Sequence, residues 1–165
     1  FVGTTTYAVE GFTTYGVAFG GSYGYEFADS LLWTVGGTFS STDGTGTVTD
    51  SGGNPQLVAL QASSAAFQTG LMAFFNRSEG SVFVPFVGAG LSLLNYDFQF
   101  PGTTMGTTSG TAPGAYTQAG VEIRLTRSFT LIPQFGIQVH TLHTESGAST
   151  GLLSGGLVVT LRISS

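Results

Sequence analysis

The chain has 165 residues, of which 41% are hydrophobic and only 8% charged, and its net charge is −5. This balance excludes nucleic acid as a partner, because nucleic-acid binding selects clusters of Lys and Arg. The absence of cysteine excludes a disulfide framework and a thiolate metal site. The length predicts a single domain over residues 1–165.

The apolar residues alternate with small or polar ones instead of forming long runs. No run reaches the about 20 residues that a transmembrane helix needs. The first long alternation places its large apolar residues on one parity: Tyr15, Val17, Phe19, Tyr23, Tyr25 and Phe27. Alternate side chains of a strand point to opposite faces. An apolar exterior around a small, polar lumen demands this pattern.

In chain order, the alternation predicts eight strands, at 1–9, 14–27, 31–42, 57–75, 81–98, 115–125, 129–144 and 152–164. Short polar breaks around 28–30, 76–80 and 126–128 predict tight hairpins. The segments 43–56 and 99–114 are rich in Gly, Thr, Ser and Pro and predict longer loops. Segments of this length exceed the about 5–6 residues usual in soluble sheets. The fold class is therefore predicted as all-β: a closed antiparallel up-and-down transmembrane β-barrel of eight strands.

Three motifs carry a family resemblance: Val84–Leu91 (VPFVGAGL), Val121–Phe129 (VEIRLTRSF) and Ser154–Leu161 (SGGLVVTL). In this order and spacing the chain resembles the small eight-stranded outer-membrane β-barrels, the group of OmpX and the transmembrane domain of OmpA. The resemblance implies the bacterial outer membrane as location and its lipid as partner. It also implies assembly by the barrel-assembly machinery, which reads the last strand. The final strand of the family usually ends in Phe, whereas this chain ends in Ile163-Ser164-Ser165.

Four charged residues fall on the inward parity near the end that carries the short turns. In the family, inward carboxylates and arginines pair inside the barrel, and a buried charge without a partner is costly. The expectation is a salt-bridged plug formed by Glu26, Glu122, Arg124 and Arg162. The alternative is that some of them face water at the rim.

The remaining candidate residues are uncharged. Four polar residues share the inward parity and are expected to line the lumen: Gln118, Gln134, Gln138 and His140. Eight strands enclose an interior just wide enough for side chains to fill, so no large solute pore is expected. Five aromatic residues near the short-turn end are expected to form a girdle at the membrane interface, with a soluble core as the rival: Tyr23, Tyr25, Phe27, Trp33 and Phe75.

The leading function is structural: an outer-membrane anchor that presents loops 43–56 and 99–114 to another envelope or surface component. A lipid-modifying enzyme is the first alternative, with His140, His143, Glu145 and nearby hydroxyls as its candidate cluster. However, His140 and His143 have opposite parity and no His-x-Ser motif is present. A soluble lipocalin-like ligand-binding barrel is the second alternative, although 8% charged residues are too few to cover the exterior of a soluble protein well. No enzymatic activity, cofactor or metal is expected. Asp43, Asp50 and Asn54 lack the close carboxylate spacing of a calcium loop.

Overall fold

The computed structural model describes residues 2–9, 12–49, 54–76, 80–101, 107–126, 129–143 and 149–163. These residues form eight strands: β1 Val2–Val9, β2 Phe12–Ala28, β3 Leu31–Thr49, β4 Pro55–Phe74, β5 Phe83–Gln99, β6 Thr107–Arg124, β7 Phe129–His143 and β8 Ser149–Ile163. Each strand pairs antiparallel with the next one in the chain. β1 also pairs with β8, which closes the sheet into a barrel. The prediction of an all-β, antiparallel, up-and-down sheet is confirmed.

No helix in these ranges is long and apolar enough to cross a bilayer. The connections β2–β3, β4–β5 and β6–β7 lie at one end of the barrel, here called the lower end, and the other connections mark the upper end. At the lower end, Asn76 has φ 55° and Gly80 has φ 89°, the left-handed region that Asn and Gly tolerate best. In the β6–β7 connection, the backbone N–H of Phe129 donates to Thr126 Oγ1 at 3.1 Å.

The two long loops predicted from sequence are mostly strand, so that prediction was wrong. β3 continues to Thr49 and β4 begins at Pro55, while β5 continues to Gln99 and β6 begins at Thr107. The register is unbroken from Leu31↔Ala73 to Thr49↔Pro55. In these segments threonine, serine or aspartate alternates with glycine or alanine. One face of the strand is therefore polar and the other small, and neither face has the large apolar residues on which the prediction depended. The backbone N–H and C=O groups of these segments therefore bond to the neighbouring strand, whereas in a loop they would bond to water.

One parity rule holds around the barrel. Every buried side chain on the described strands has an even number, and every large apolar side chain that is exposed has an odd number, except Val82 between β4 and β5. Odd residues therefore point outward and even residues inward. The faces assigned from sequence to the strands at 14–27, 115–125, 129–144 and 152–164 agree with this arrangement.

Large inward side chains lie over inward glycines of the neighbouring strand. Gly70, Gly90 and Tyr116 share one register row across β4, β5 and β6. A Cβ at Gly70 would approach the Tyr116 hydroxyl within 2.5 Å, and one at Gly90 would approach Tyr116 Cε1 within 2.7 Å. The tyrosine ring therefore occupies the space that two missing side chains leave. Such pairing lets a narrow barrel hold bulky residues without widening its wall.

Candidate functional site

The outward face carries a continuous apolar band. On β7 it extends from Phe129 to Val139, and on β5 from Phe83 to Leu93. Eleven residues at about 3.3 Å each, tilted by about 40°, give a height of about 25–30 Å. Within the described strands, no outward position of this band carries a charged residue. A surface of this height and composition matches the hydrocarbon core of a bilayer.

The five residues predicted as an aromatic girdle all lie exposed on the outward face of β2, β3 and the end of β4: Tyr23, Tyr25, Phe27, Trp33 and Phe75. The Trp33 indole Nε1–H donates to Thr69 Oγ1 on β4 at 3.0 Å. This bond satisfies the one polar group of the exposed indole within the sheet. The placement is compatible with a girdle, and the interfacial role itself stays a prediction.

The barrel interior contains two apolar clusters and a cavity. A lower apolar cluster consists of Leu32, Met72, Phe74, Val84, Phe86 and Ile132. An upper apolar cluster consists of Leu60, Ala62, Ala66, Leu94, Tyr96, Phe98, Ala112, Leu142 and Leu152. A partly open cavity of about 560 Å³, called the chamber below, is lined by Gly, Gln and Thr residues and reaches Leu32, Met72 and Ile132 of the lower cluster. The chamber therefore lies beside the lower cluster and is not sealed by it.

Four glutamines line the chamber, and glycines on the neighbouring strands leave space for their side chains. Gln118, Gln134 and Gln138 line it as their inward parity predicts, and Gln68 joins them from β4. Gln118 lies in register between two inward glycines, Gly88 on β5 and Gly136 on β7. The absence of side chains at such positions leaves room for the long amides. Gln68 was not predicted as a lumen residue, although its even number indicates an inward position.

His140 does not line the chamber with the glutamines but lies buried above it. Its Nε2 is 2.9 Å from Ser92 Oγ, and its side chain is 1% exposed. Gly114 stands between Ser92 and His140 in the register row, so the imidazole reaches across an empty position. Within the described residues, His140 Nδ1 has no hydrogen-bond partner. Ser92 was not predicted as a partner of His140, because their contact depends on the register of β5, β6 and β7.

Replacing Ser92 with alanine is expected to lower the free energy of unfolding by about 1–3 kcal/mol. The substitution leaves His140 Nε2 buried without its partner, and an unsatisfied buried group carries its full desolvation cost. Chemical denaturation in lipid vesicles, followed by Trp33 fluorescence, measures the effect. Ser154→Ala is the matched control, because Ser154 is buried yet borders the chamber. An equal loss in both variants would show that the Ser92–His140 contact contributes nothing specific.

The four charged residues predicted as a plug occupy different environments. Glu122 is 1% exposed, Arg124 is half-buried, and Glu26 borders the chamber. Both carboxylates have a partner in the structure. Arg124 is in register with Thr130, and Thr130 with Arg162, but the Arg162 side chain lies outside the described part. Pairing among these four residues stays a prediction. The inward side chains that pack together near this end are apolar, which the sequence analysis had not anticipated.

The proposed enzymatic cluster is not assembled by the described residues. His140 points inward and is enclosed. The side chain of His143 and the whole of Glu145 lie outside the described part. Ser92 and His140 alone lack a path to a substrate at the outward face. In the part of the chain that the structure describes, no group of three His, Cys, Asp or Glu side chains is placed to hold a metal ion.

Above the apolar band, the outward face of β3–β6 becomes mainly polar, and Leu57 near the upper end of β4 is the large apolar exception among the described residues. One register row crosses the four strands as Ser41, Ser63, Asp97 and Ser109. The row above it holds Asp43, Gln61, Gln99 and Thr107. These two rows, with Asn95 and Thr111 beside them, are called the outer wall below.

The outer wall is held by contacts between its own side chains. Thr111 Oγ1 donates to Asn95 Oδ1 at 2.6 Å across the β5–β6 pair, and Gln99 Nε2 donates to Asp97 Oδ1 at 3.3 Å. Beneath the wall, the lumen is filled by the upper apolar cluster. At this height the outward face is therefore polar, the reverse of the apolar outward band below. Such a reversal is expected where strands leave a bilayer and enter water.

Comparisons with solved structures identify the fold. Neisserial surface protein A (NspA) matches with a TM-score of 0.64 at 18% sequence identity, covering 98% of this chain and 92% of that one. The outer membrane protein OprG from Pseudomonas aeruginosa matches with a TM-score of 0.53 at 11% identity, covering 98% of this chain and 90% of that one. No protein-family model and no curated protein matches the sequence. The chain has the fold of small outer-membrane β-barrel proteins, as the resemblance implied.

Proposed function

We propose that this protein is an integral anchor of the bacterial outer membrane, a closed eight-stranded transmembrane barrel. The observation that carries the proposal is the uncharged outward band, in which large aromatic and aliphatic side chains are exposed, among them Phe135 at 52%. In water, a band of this extent would drive aggregation. A lipocalin-like soluble barrel would require the opposite orientation, with Phe135 and Leu157 packed centrally.

A structural role is favoured over transport. The lower cluster and the upper cluster fill parts of the lumen with apolar side chains. Leu94 and Leu152 of the upper cluster are 1% and 0% exposed, so this level is packed instead of wet. A solute path through the lumen would have to displace this packing at the upper level. An enzymatic role has less support, because the Ser92–His140 pair is enclosed in the lumen.

The surface presented outside the cell is the outer wall, which includes strand residues of the segments 43–56 and 99–114 that were predicted as loops. Strands β3–β6 contain 17–20 residues, whereas β7 and β8 contain 15 each. The barrel is therefore taller on the side of the outer wall. We assign the upper end to the exterior and the lower end to the periplasm, and another envelope or surface component as the partner of the taller side.

Single-cysteine labelling tests the membrane location and its orientation, because the chain has no native cysteine. A membrane-impermeant maleimide is expected to label Ser109→Cys on intact cells. Ser30→Cys, in the β2–β3 turn at the lower end, is expected to react only after the outer membrane is permeabilised. Leu157→Cys, in the middle of the apolar band, is expected to stay unreactive in both cases because lipid covers it.

Two results would contradict the proposal. Recovery of the protein in the soluble fraction without detergent would remove the membrane anchor. Labelling of Ser30→Cys but not Ser109→Cys on intact cells would invert the orientation.

A further inference from the structure

We propose that the outer wall binds the headgroup sugars of a glycolipid in the outer leaflet, through uncharged hydrogen bonds to sugar hydroxyls. The inference rests on the proposed membrane location and adds the chemistry of the neighbour. Three independent features point to it: the height of the wall, its side-chain chemistry and the distribution of charge along the chain.

The height of the wall places it in the headgroup layer. On β3 the outward residue after Phe39 is Ser41, and on β5 the outward residue after Leu93 is Asn95. Successive outward residues are about 6.8 Å apart along a strand, and each headgroup layer is about 5–7 Å thick. The first polar row therefore stands beside the headgroups of the lipids whose acyl chains contact the band beneath it.

The chemistry of the wall suits hydroxyl groups. Hydroxyl, amide and carboxylate groups repeat about every 4.8 Å across the strands, with no aromatic or large apolar side chain among them. Protein interfaces concentrate their affinity in aromatic and arginine side chains, with serine and threonine under-represented. Because Asn95 Oδ1 already accepts from Thr111, the Asn95 amide hydrogens are left to donate outward. An ordered array of donors and acceptors is what a polyhydroxyl headgroup can use.

The charge distribution argues against direct binding of phosphate or sulfate. The four arginines, at positions 77, 124, 127 and 162, lie in the lower-end connections or in the lower part of β6 and β8, and lysine is absent. The outer wall has no cation and two carboxylates, Asp43 and Asp97. Anionic groups are recognised mainly by Arg and Lys. The neutral hydroxyls of the sugars, and not their phosphates, are therefore the assigned ligand.

The test compares unfolding temperatures in three kinds of vesicle, using Trp33 fluorescence. The vesicles contain phosphatidylcholine alone, phosphatidylcholine with digalactosyldiacylglycerol, or phosphatidylcholine with lipopolysaccharide with and without EDTA. Digalactosyldiacylglycerol carries sugar hydroxyls and no phosphate. It is expected to raise Tm, because a ligand that binds only the folded state stabilises it. The triple variant Ser63→Ala/Asn95→Ala/Ser109→Ala is expected to lose most of this rise.

Thr141→Ala is the matched control, since Thr141 is outward and above the band on β7, away from the wall. It is expected to keep the full rise. The inference is overturned if the neutral glycolipid leaves Tm unchanged, or if the triple variant keeps the rise. It is also overturned if only lipopolysaccharide stabilises and EDTA abolishes the effect, which would assign the wall to phosphate bridged by divalent cations. Failure to insert into phosphatidylcholine vesicles would instead contradict the proposed function.

Discussion

Phe135→Arg is expected to lower the free energy of unfolding in lipid vesicles by about 2–4 kcal/mol. Phe135 is outward and half exposed at the middle of the β7 band, between Phe129 and Val139. An arginine there would place its guanidinium near the bilayer midplane, where water cannot solvate it and where no outward carboxylate of the described strands stands in the band. Denaturant titration of vesicle-inserted protein, followed by Trp33 fluorescence, gives the loss.

Thr141→Arg provides the matched control on the same strand and the same face. Thr141 lies six residues above Phe135, beyond the last apolar residue of the band, so the new charge enters water or the headgroup layer. Its expected cost is about 0–1 kcal/mol. The comparison separates depth from the general effect of adding a charge. Equal losses at the two positions, or no loss at Phe135, would mean that the outward face does not contact hydrocarbon.

Which side chains of a strand point outward was predictable, because it depends only on the alternation within that strand. On β7, Phe129, Leu131 and Phe135 share one parity while Gln134 and Gln138 share the other, and the strand period alone separates them. A shift of one residue would exchange the two faces completely. The same rule places Gln118, Gln134 and Gln138 inward without any pairing information. Gln68 was not predicted, because its strand carries Ala and Ser on both parities.

Contacts between strands were not predictable from the same pattern. Ser92 and His140 are separated by 48 positions and meet only because Gly114 stands between them in register. The register of a barrel is a property of all its strands together. The heights of the two apolar clusters likewise depend on which even residues lie level with one another.

The upper parts of β3–β6 escaped prediction for a different reason. Hydrophobic alternation identifies a strand only where one face is apolar, and above the band the outward residues are Ser41, Asp43 and Thr45 opposite Thr42 and Gly44. Glycine and proline in these segments are ordinarily turn signals. Here glycine gives space in the lumen and threonine has high β propensity. Each of these strands extends above the band because it pairs there with a neighbouring strand that also extends.

Gly90→Ala is expected to destabilise the barrel by at least about 3 kcal/mol, at the top of the range for overpacking. The added Cβ would lie 2.6 Å from Gly70 Cα and 2.7 Å from Tyr116 Cε1, and closer still to the Thr69 carbonyl oxygen. Two of these three neighbours are backbone atoms of β4, which cannot move without disturbing the ladder. Denaturant unfolding in vesicles measures the loss, and heat-modifiable gel mobility reports whether the barrel still forms.

Two further glycines, also at even-numbered inward positions, test how the destabilisation depends on the space around the added Cβ. At Gly24 the new Cβ would meet Leu32 Cδ2 at 2.8 Å, the flexible end of a side chain, so Gly24→Ala is expected to cost less than Gly90→Ala. At Gly136 the nearest atom is the Thr117 carbonyl oxygen at 3.5 Å, an ordinary contact. Gly136→Ala is therefore expected to be nearly neutral, because the chamber beside it has room. If Gly136→Ala is as damaging as Gly90→Ala, the loss of glycine as such and not the fit of Tyr116 over β4 and β5 determines stability. If Gly90→Ala is neutral, the close packing of β4 against β5 at this level is wrong.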